Sequence, residues 1–201
     1  MLALIMAGGK GSRLGMGEKP LVTICGKPMI SYVIDAFTDF GCEPVVVASP
    51  QTPMTKNWCR TRGIAYYSAH GAGYVEDIIE VVSALEETSP LFTCVSDVPC
   101  LTREILATIH AAYLDSGSDA CSVWVPYQIC REYHCTPRHV ETCEQTRVCP
   151  AGINILRGDR IEDEQDELRL ILPFSRLVFN VNTREERDSV QRYLCRRNGL
   201  N

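Results

Sequence analysis

The chain has 201 residues, 45% of them apolar, enough to bury a sizeable core as one domain over 1–201, and no linker divides it. A formal net charge of −5 argues against non-specific nucleic-acid binding, which needs a basic face to displace counterions. No apolar stretch approaches the roughly 20 residues of a membrane span, and 1–7 lacks the basic flank and length of a signal peptide, so a cytoplasmic protein is expected.

Leu2 to Met6 is a short apolar run that reads as a buried parallel strand, and it ends in Ala7-Gly8-Gly9-Lys10-Gly11-Ser12-Arg13-Leu14-Gly15. Glycines at 8, 9 and 11 allow positive φ and turn successive N–H groups into one concavity, while Lys10, Ser12 and Arg13 add charge and a hydroxyl. Such a loop binds an anion. Its spacing is neither the P-loop nor the Gly-x-Gly-x-x-Gly turn that opens directly into a helix, so kinase and dehydrogenase readings lose support. Lys19, beside the φ-locked Pro20, offers a cation from outside the loop.

Met29 to Phe40 puts Ile30, Val33, Ile34 and Phe37 on one helical face and stops near Gly41. Val45 to Ala48 is the next strand, followed by the loop 49–53. Residues 70–77 then lead into a helix carrying Ile78, Ile79 and Val82. These two loops are expected to flank a base. Leu91 to Val95 is a strand that delivers Asp97 to the carboxyl edge of the sheet, where it suits a hard magnesium ion, or else caps the helix over Thr102 to Leu114. Ala120 to Val125, Gly152 to Leu156 and Leu177 to Asn180 read as further strands, and the acidic run 162–167 as a solvated helix face or loop. A last helix, Thr183 to Arg197, opens with a Thr-x-x-Glu capping box. Alternating strands and helices give an α/β three-layer sandwich around a mostly parallel sheet.

Eleven cysteines are expected to be reduced thiols in such a setting. Cys94 and Cys121 read as small core residues. Cys130, Cys135, Cys143 and Cys149, with His134 and His139 between them, leave zinc and a disulfide open as alternatives, although no paired C-x2-C knuckle is present. His70 and His110 read as structural.

The glycine-rich segment with Lys19-Pro20 resembles the signature of the nucleotidyltransferases that activate sugars, molybdopterin and related phosphates. Three later segments, 73–77, 150–154 and 179–183, are similar in order and spacing to the archaeal GTP:adenosylcobinamide-phosphate guanylyltransferases. The similarity runs over nearly the whole chain and is weakest over 127–148. It implies a Rossmann-like, nucleotide-diphosphosugar transferase-like mixed sheet with a late antiparallel strand. It also implies transfer of GMP from GTP to adenosylcobinamide phosphate with Mg²⁺. Arg13 and Lys19 would be catalytic and Asp97 would hold the metal. Ala7, Gly8, Gly9, Lys10, Gly11, Ser12, Gly71, Gly73 and Asp77 would bind the nucleotide, the last through guanine or ribose unless it only favours a helix N-terminus. Ala151, Gly152, Asn154 and Asn180 would border the acceptor, with Gly152 alternatively a bulge glycine. Ser68 stands where an acidic residue precedes the glycines in relatives. Transfer to molybdopterin or a sugar phosphate, a non-catalytic GTP- or cobinamide-binding module, and a homo-oligomer stay open.

Overall fold

The computed structural model describes residues 1–9, 11, 14–133, 135, 137 and 139–197. Its frame is a mixed, mostly parallel sheet. Strand β1 (Leu2–Met6) lies between β4 (Glu43–Ala48) and β6 (Pro90–Val95), parallel to both, and β5 (Tyr66–Ser68) extends the parallel set beyond β4. On the other side β9 (Thr146–Arg157) runs antiparallel between β6 and β7 (Ala120–Pro126), and β10 (Glu167–Ile171) pairs parallel with β7. The short β8 (Glu141–Cys143) pairs with β9, and β2 (Thr23–Ile24) with β3 (Lys27–Pro28) forms a separate hairpin. This is the expected α/β architecture, late antiparallel strand included.

Strand alternation sends Ala3, Ile5 and Ala7 to one face of the sheet and Leu4 to the other, so β1 is an unbroken apolar run because both faces are covered. Helices α1 (Met29–Phe40), α2 (Pro53–Thr61), α4 (Arg103–Ser116) and α5 (Tyr127–Glu132) feed the first face. Within it Phe37 of α1 meets Phe92 of β6 edge-on at 5.4 Å. Helix α1 ends at Gly41, whose φ of 93° lets its N–H reach back to the carbonyls of Phe37 and Thr38. Helix α3 (Tyr74–Ala84) covers the second face with Ile78, Val81 and Val82 against Leu4, Val47 and Leu91. Helix α6 (Arg184–Arg197) closes a third cluster, in which Val190 and Val181 pack with Leu14, Val22, Ile24 and Met29. That cluster fastens the segment after the glycine loop to the end of the chain.

Two local expectations are corrected and one alternative is decided. Leu177 and Val178 lie not in a strand but in a 3-10 turn, Ser175–Val178, where both are buried; an apolar run this short does not separate the two periods. Of the two readings of the acidic run 162–167 the loop is the one seen: turn and irregular backbone leading into β10. The loop after β4 is only four residues long, because Pro53 already opens α2 at a position where its missing N–H costs nothing.

The expectation of eleven reduced thiols is also corrected. Cys25, at the tip of the β2–β3 hairpin, is bridged to Cys195 of α6 with a Cα–Cα separation of 6.0 Å, because the third cluster packs these elements side by side. The remaining cysteines are free, Cys130, Cys135, Cys143 and Cys149 among them. Among the described residues no three His, Cys, Asp or Glu side chains are placed to hold a metal. His134 lies outside the described residues.

The bridge closes a sequence separation of 170 residues, so it removes much of the unfolded chain's freedom. Replacing Cys25 by Ser is expected to lower stability by about 2–4 kcal/mol, read as a lower urea midpoint than the oxidised wild type. Identical midpoints would mean that the bridge does not form.

Candidate active site

Strands β1, β4, β5 and β6 all end at one edge of the sheet. The chain builds β4 and β5 on one side of β1 and then crosses to β6 on the other, and such a switch of direction opens a crevice between the loops that follow. A cavity of about 580 Å³ occupies it, within the range of small-molecule sites. Of the residues expected at the nucleotide, Ala7, Gly8, Gly9, Gly11, Gly71, Gly73 and Asp77 line this cavity, as do Lys19 and Asp97. Lys10, Ser12 and Arg13 lie outside the described residues.

The loop glycines do different work. Of Gly8, Gly9 and Gly11 only Gly11 has positive φ, +56°, and a Cβ there would stand 2.6 Å from Cβ of Lys19. A Cβ on Gly8 would come 3.1 Å from the side chain of Ser49, whose hydroxyl donates to the Gly8 carbonyl at 2.8 Å. Gly9 has open space around it. Across the cavity, buried Asp77 uses Oδ1 to accept the N–H groups of Gly71 at 2.9 Å and Ala72 at 3.1 Å, which holds the loop before α3. The other oxygen is turned toward Gly8, 3.7 Å from where a Cβ would stand.

Lys19 is positioned by its neighbour. The Glu18 carboxylate accepts the N–H groups of Met54 and Thr55 at 2.7 and 2.6 Å and the Thr55 hydroxyl at 2.6 Å, capping α2 from 36 residues upstream. Thr52 makes no such cap. Lys19 Nζ is ion-paired with Asp97 Oδ2 and donates to Asn182 Oδ1 at 2.9 Å. Asn182 Nδ2 donates in turn to Asn180 Oδ1 at 2.7 Å. The capping box forms as expected: Glu186 Oε2 accepts from the backbone N–H of Asn182 and Thr183, and the Glu186 N–H bonds to Thr183 Oγ1. Arg184 reaches the carbonyls of Leu14 and Gly15, each at 3.3 Å, so α6 also braces the end of the glycine loop.

A second cavity of about 300 Å³ adjoins the first, and Lys19, Val95, Asp97 and Asn182 border both. Asn180 lines it, with Cys130, Cys135, Cys149 and Pro150. The other expected acceptor-side residues do not face either cavity. Ala151 belongs to the core. Gly152, φ +73°, packs where a Cβ would meet Val95 Cγ2 at 2.5 Å, beside the register shift of β9 against β7. Asn154 Nδ2 donates inward to Thr93 Oγ1 at 3.3 Å. Above it the open ring of Tyr74 sinks its hydroxyl toward Thr93 and Asn154, and burial pushes that pKa up to about 12. Tyr74, Asn182 and the thiol wall were not assigned to the site from sequence; the alternation along β9 is a signal that would have put Ala151 in the core, but it does not show that Cys149 borders a cavity.

Asp97 is 8% exposed, and its Oδ1 is buried with no hydrogen-bond partner among the described residues. A buried carboxylate oxygen left unpaired fits a hard divalent cation that takes one carboxylate and completes its shell with phosphate oxygens and water. Mg²⁺ would be held there by Asp97 rather than by a protein cage.

Comparison with known proteins bears on the family and the fold. Residues 3–151 match the model of the MobA-like NTP transferase domain. The adenosylcobinamide-phosphate guanylyltransferase of Methanocaldococcus jannaschii is 29% identical over 197 residues, covering 92% of this chain and 93% of that one. The molybdenum cofactor guanylyltransferase of Shewanella frigidimarina is 27% identical over 119 residues, covering 58% of this chain and 59% of its own. The solved structure of CMP:2-keto-3-deoxy-manno-octonic acid synthetase with CTP shares the fold, with a TM-score of 0.73, 15% identity and 98% of each chain covered.

Alanine at Gly11 or at Gly152 is expected to cost about 1–3 kcal/mol of stability, since each puts a Cβ on a left-handed backbone against a packed side chain. Only Gly11→Ala is expected to weaken nucleoside triphosphate binding, because it pushes on Lys19. Equal losses of affinity in titrations of both variants would place Gly152 at the nucleotide after all.

Proposed function

Since the chain belongs to the MobA-like NTP transferase family, we propose that it transfers GMP from GTP to adenosylcobinamide phosphate, releasing pyrophosphate and forming adenosylcobinamide-GDP for a cobamide nucleotide loop. The observation that carries this reading is the pair of cavities bordering one cation and one carboxylate, in a chain similar along nearly its whole length to a guanylyltransferase of that activity.

GTP takes the larger cavity. Its phosphates lie on the backbone amides of the glycine loop, and its base lies toward the 71–73 loop that Asp77 holds. The acceptor's phosphate enters from the smaller cavity and meets the α-phosphorus near Lys19, in line with departing pyrophosphate. No strong general base is required, because a phosphate monoester with a second pKa of about 6 is already largely anionic at neutral pH. The difficulty is repulsion between anions. Lys19 sits where the two approach, and its charge is worth most in a site shielded from water. Mg²⁺ bound through Asp97 supplies Lewis-acid charge to the phosphate oxygens. The thiols of the smaller cavity add no negative charge, since burial pushes Cys130 up to about 12 and Cys135 up to about 11. Arg13 is proposed to stabilise the leaving group, with Lys10 and Ser12 completing the cradle. A molybdopterin acceptor is the second reading, favoured by the shorter match to the molybdenum cofactor enzyme.

Incubation with GTP, Mg²⁺ and adenosylcobinamide phosphate under reducing conditions is expected to release pyrophosphate and add the mass of GMP to the corrinoid. Turnover with molybdopterin or a sugar phosphate in its place would move the acceptor assignment. Asp97→Ala is expected to lower kcat by about 100-fold or more while changing GTP affinity less, whereas Lys19→Ala lowers both. Activity unchanged in both variants would remove this site.

A further inference from the structure

The Lys19–Asp97 ion pair stands on the border between the two cavities, with side chains 16% and 12% exposed. Among the described residues lining either cavity, Lys19 is the only lysine or arginine. Its ammonium is committed to Asp97 Oδ2 and to Asn182 Oδ1. The same carboxylate presents Oδ1, which has no hydrogen-bond partner among the described residues. One carboxylate is therefore claimed by two cations, and only one of them is part of the chain.

We propose that Lys19 is the resident counter-ion of the metal carboxylate: it neutralises Asp97 in the empty enzyme and moves onto the phosphates when a divalent cation and a nucleoside triphosphate arrive together. The proposal rests on the reading of Asp97 as the metal carboxylate and adds an order of events to it. A nearly buried carboxylate left alone is costly, so the empty protein keeps Lys19 on it. Free metal arriving first would crowd two cations onto Asp97 or strand the ammonium of Lys19 on the Asn182 amide, neither of which replaces the lost ion pair. A triphosphate removes that obstacle by offering Lys19 anionic oxygens. Metal and nucleotide thus strengthen each other's binding, and by linkage the effect is the same in both directions. Released from Asp97, the ammonium is free to follow the charge that builds on the phosphates, so a single side chain links occupancy of the site to its competence.

Removing the charge of Lys19 is expected to let metal bind without nucleotide. Mn²⁺ binding, followed by the EPR signal of the free aqueous ion, would be measured without nucleotide on wild type, Lys19→Met, Lys19→Gln and Lys19→Met/Asp97→Asn. Lys19→Gln keeps a donor near Asp97 and guards against misfolding in the Met variant; melting curves of all four accompany the titrations. Both single variants are expected to bind Mn²⁺ at least about tenfold more tightly than wild type, and the double variant is expected to lose the gain. Wild type with a non-hydrolysable GTP analogue is expected to bind Mn²⁺ in a manner that Asp97→Asn abolishes. Folded single variants with wild-type Mn²⁺ affinity would overturn the exchange while leaving Asp97 as the metal carboxylate. Binding with the analogue that ignores Asp97→Asn would overturn both. The predicted titrations with no transfer to adenosylcobinamide phosphate would uphold the exchange and move only the acceptor.

Discussion

An ammonium group and a carboxylate, both nearly out of water, have to be held together at the sheet edge, and much of the surrounding structure does that holding. A buried charge that loses its partner destabilises far more than the pair stabilises, so the geometry must be firm on both sides. On the lysine side, Glu18 anchors the backbone by capping α2, and Gly11 leaves room for the lysine stem. On the carboxylate side, β6 delivers Asp97, and its carbonyl accepts the N–H of Val181 at 3.0 Å. Asn182, which bonds Lys19 as well, is fixed by Glu186 through its own N–H. The disulfide then ties the hairpin just after Lys19 to the helix just after Asn182. Segments from opposite ends of the chain are thereby locked around one ion pair.

The antiparallel placement of β9 is what makes a second chamber. Had β9 run parallel, its connections would bring loops to the same edge as the others and fill the space beside Asp97. Instead β9 enters from that edge as an extended strand, and Cys149 and Pro150 form a wall next to α5. The register shift against β7 is absorbed at Gly152, whose missing side chain makes room for Val95. Val95 borders both cavities. A residue in the sheet interior thus helps shape the partition, without being a ligand contact itself.

The parallel core, the glycine loop, Lys19, Asp97 and the capping box were legible in the sequence because each is a local pattern with one strong physical reading. An apolar strand followed by glycines, or an aspartate just beyond a strand, needs no distant partner to be interpreted. What sequence did not disclose depends on partners far away along the chain. Glu18 has no local pattern that assigns it a role, because its partners are Met54 and Thr55. Gly152 and Asn154 were expected at the acceptor, with a bulge glycine as the alternative for Gly152; the bulge is what is seen, and both side-chain positions are spent on β6. The disulfide was unreadable for the same reason, since cysteine pairing across the chain follows packing and not spacing.

An acidic chain that binds polyanions faces a further constraint. The N-termini of α2, α3 and α6 all lie near the site, and helix N-termini are ready-made anion sites. Here each has a protein carboxylate instead: Glu18 caps α2, Asp77 sits in the first turn of α3 and holds the loop before it, and Glu186 closes the box of α6. Those carboxylates are directed at backbone N–H groups, which fixes the loops and keeps the acids engaged with the scaffold. The N-termini of α2 and α6 are thereby capped by protein acids, and Asp77 keeps a carboxylate beside that of α3 while it holds the loop before it. In the proposed reading the glycine loop supplies the amides, and the positive charge comes from Lys10, Arg13, Lys19 and the cation that Asp97 would hold. The acids that brace the site thus surround a pair of cavities in which Lys19, itself paired with Asp97, is the one lysine or arginine among the described lining residues.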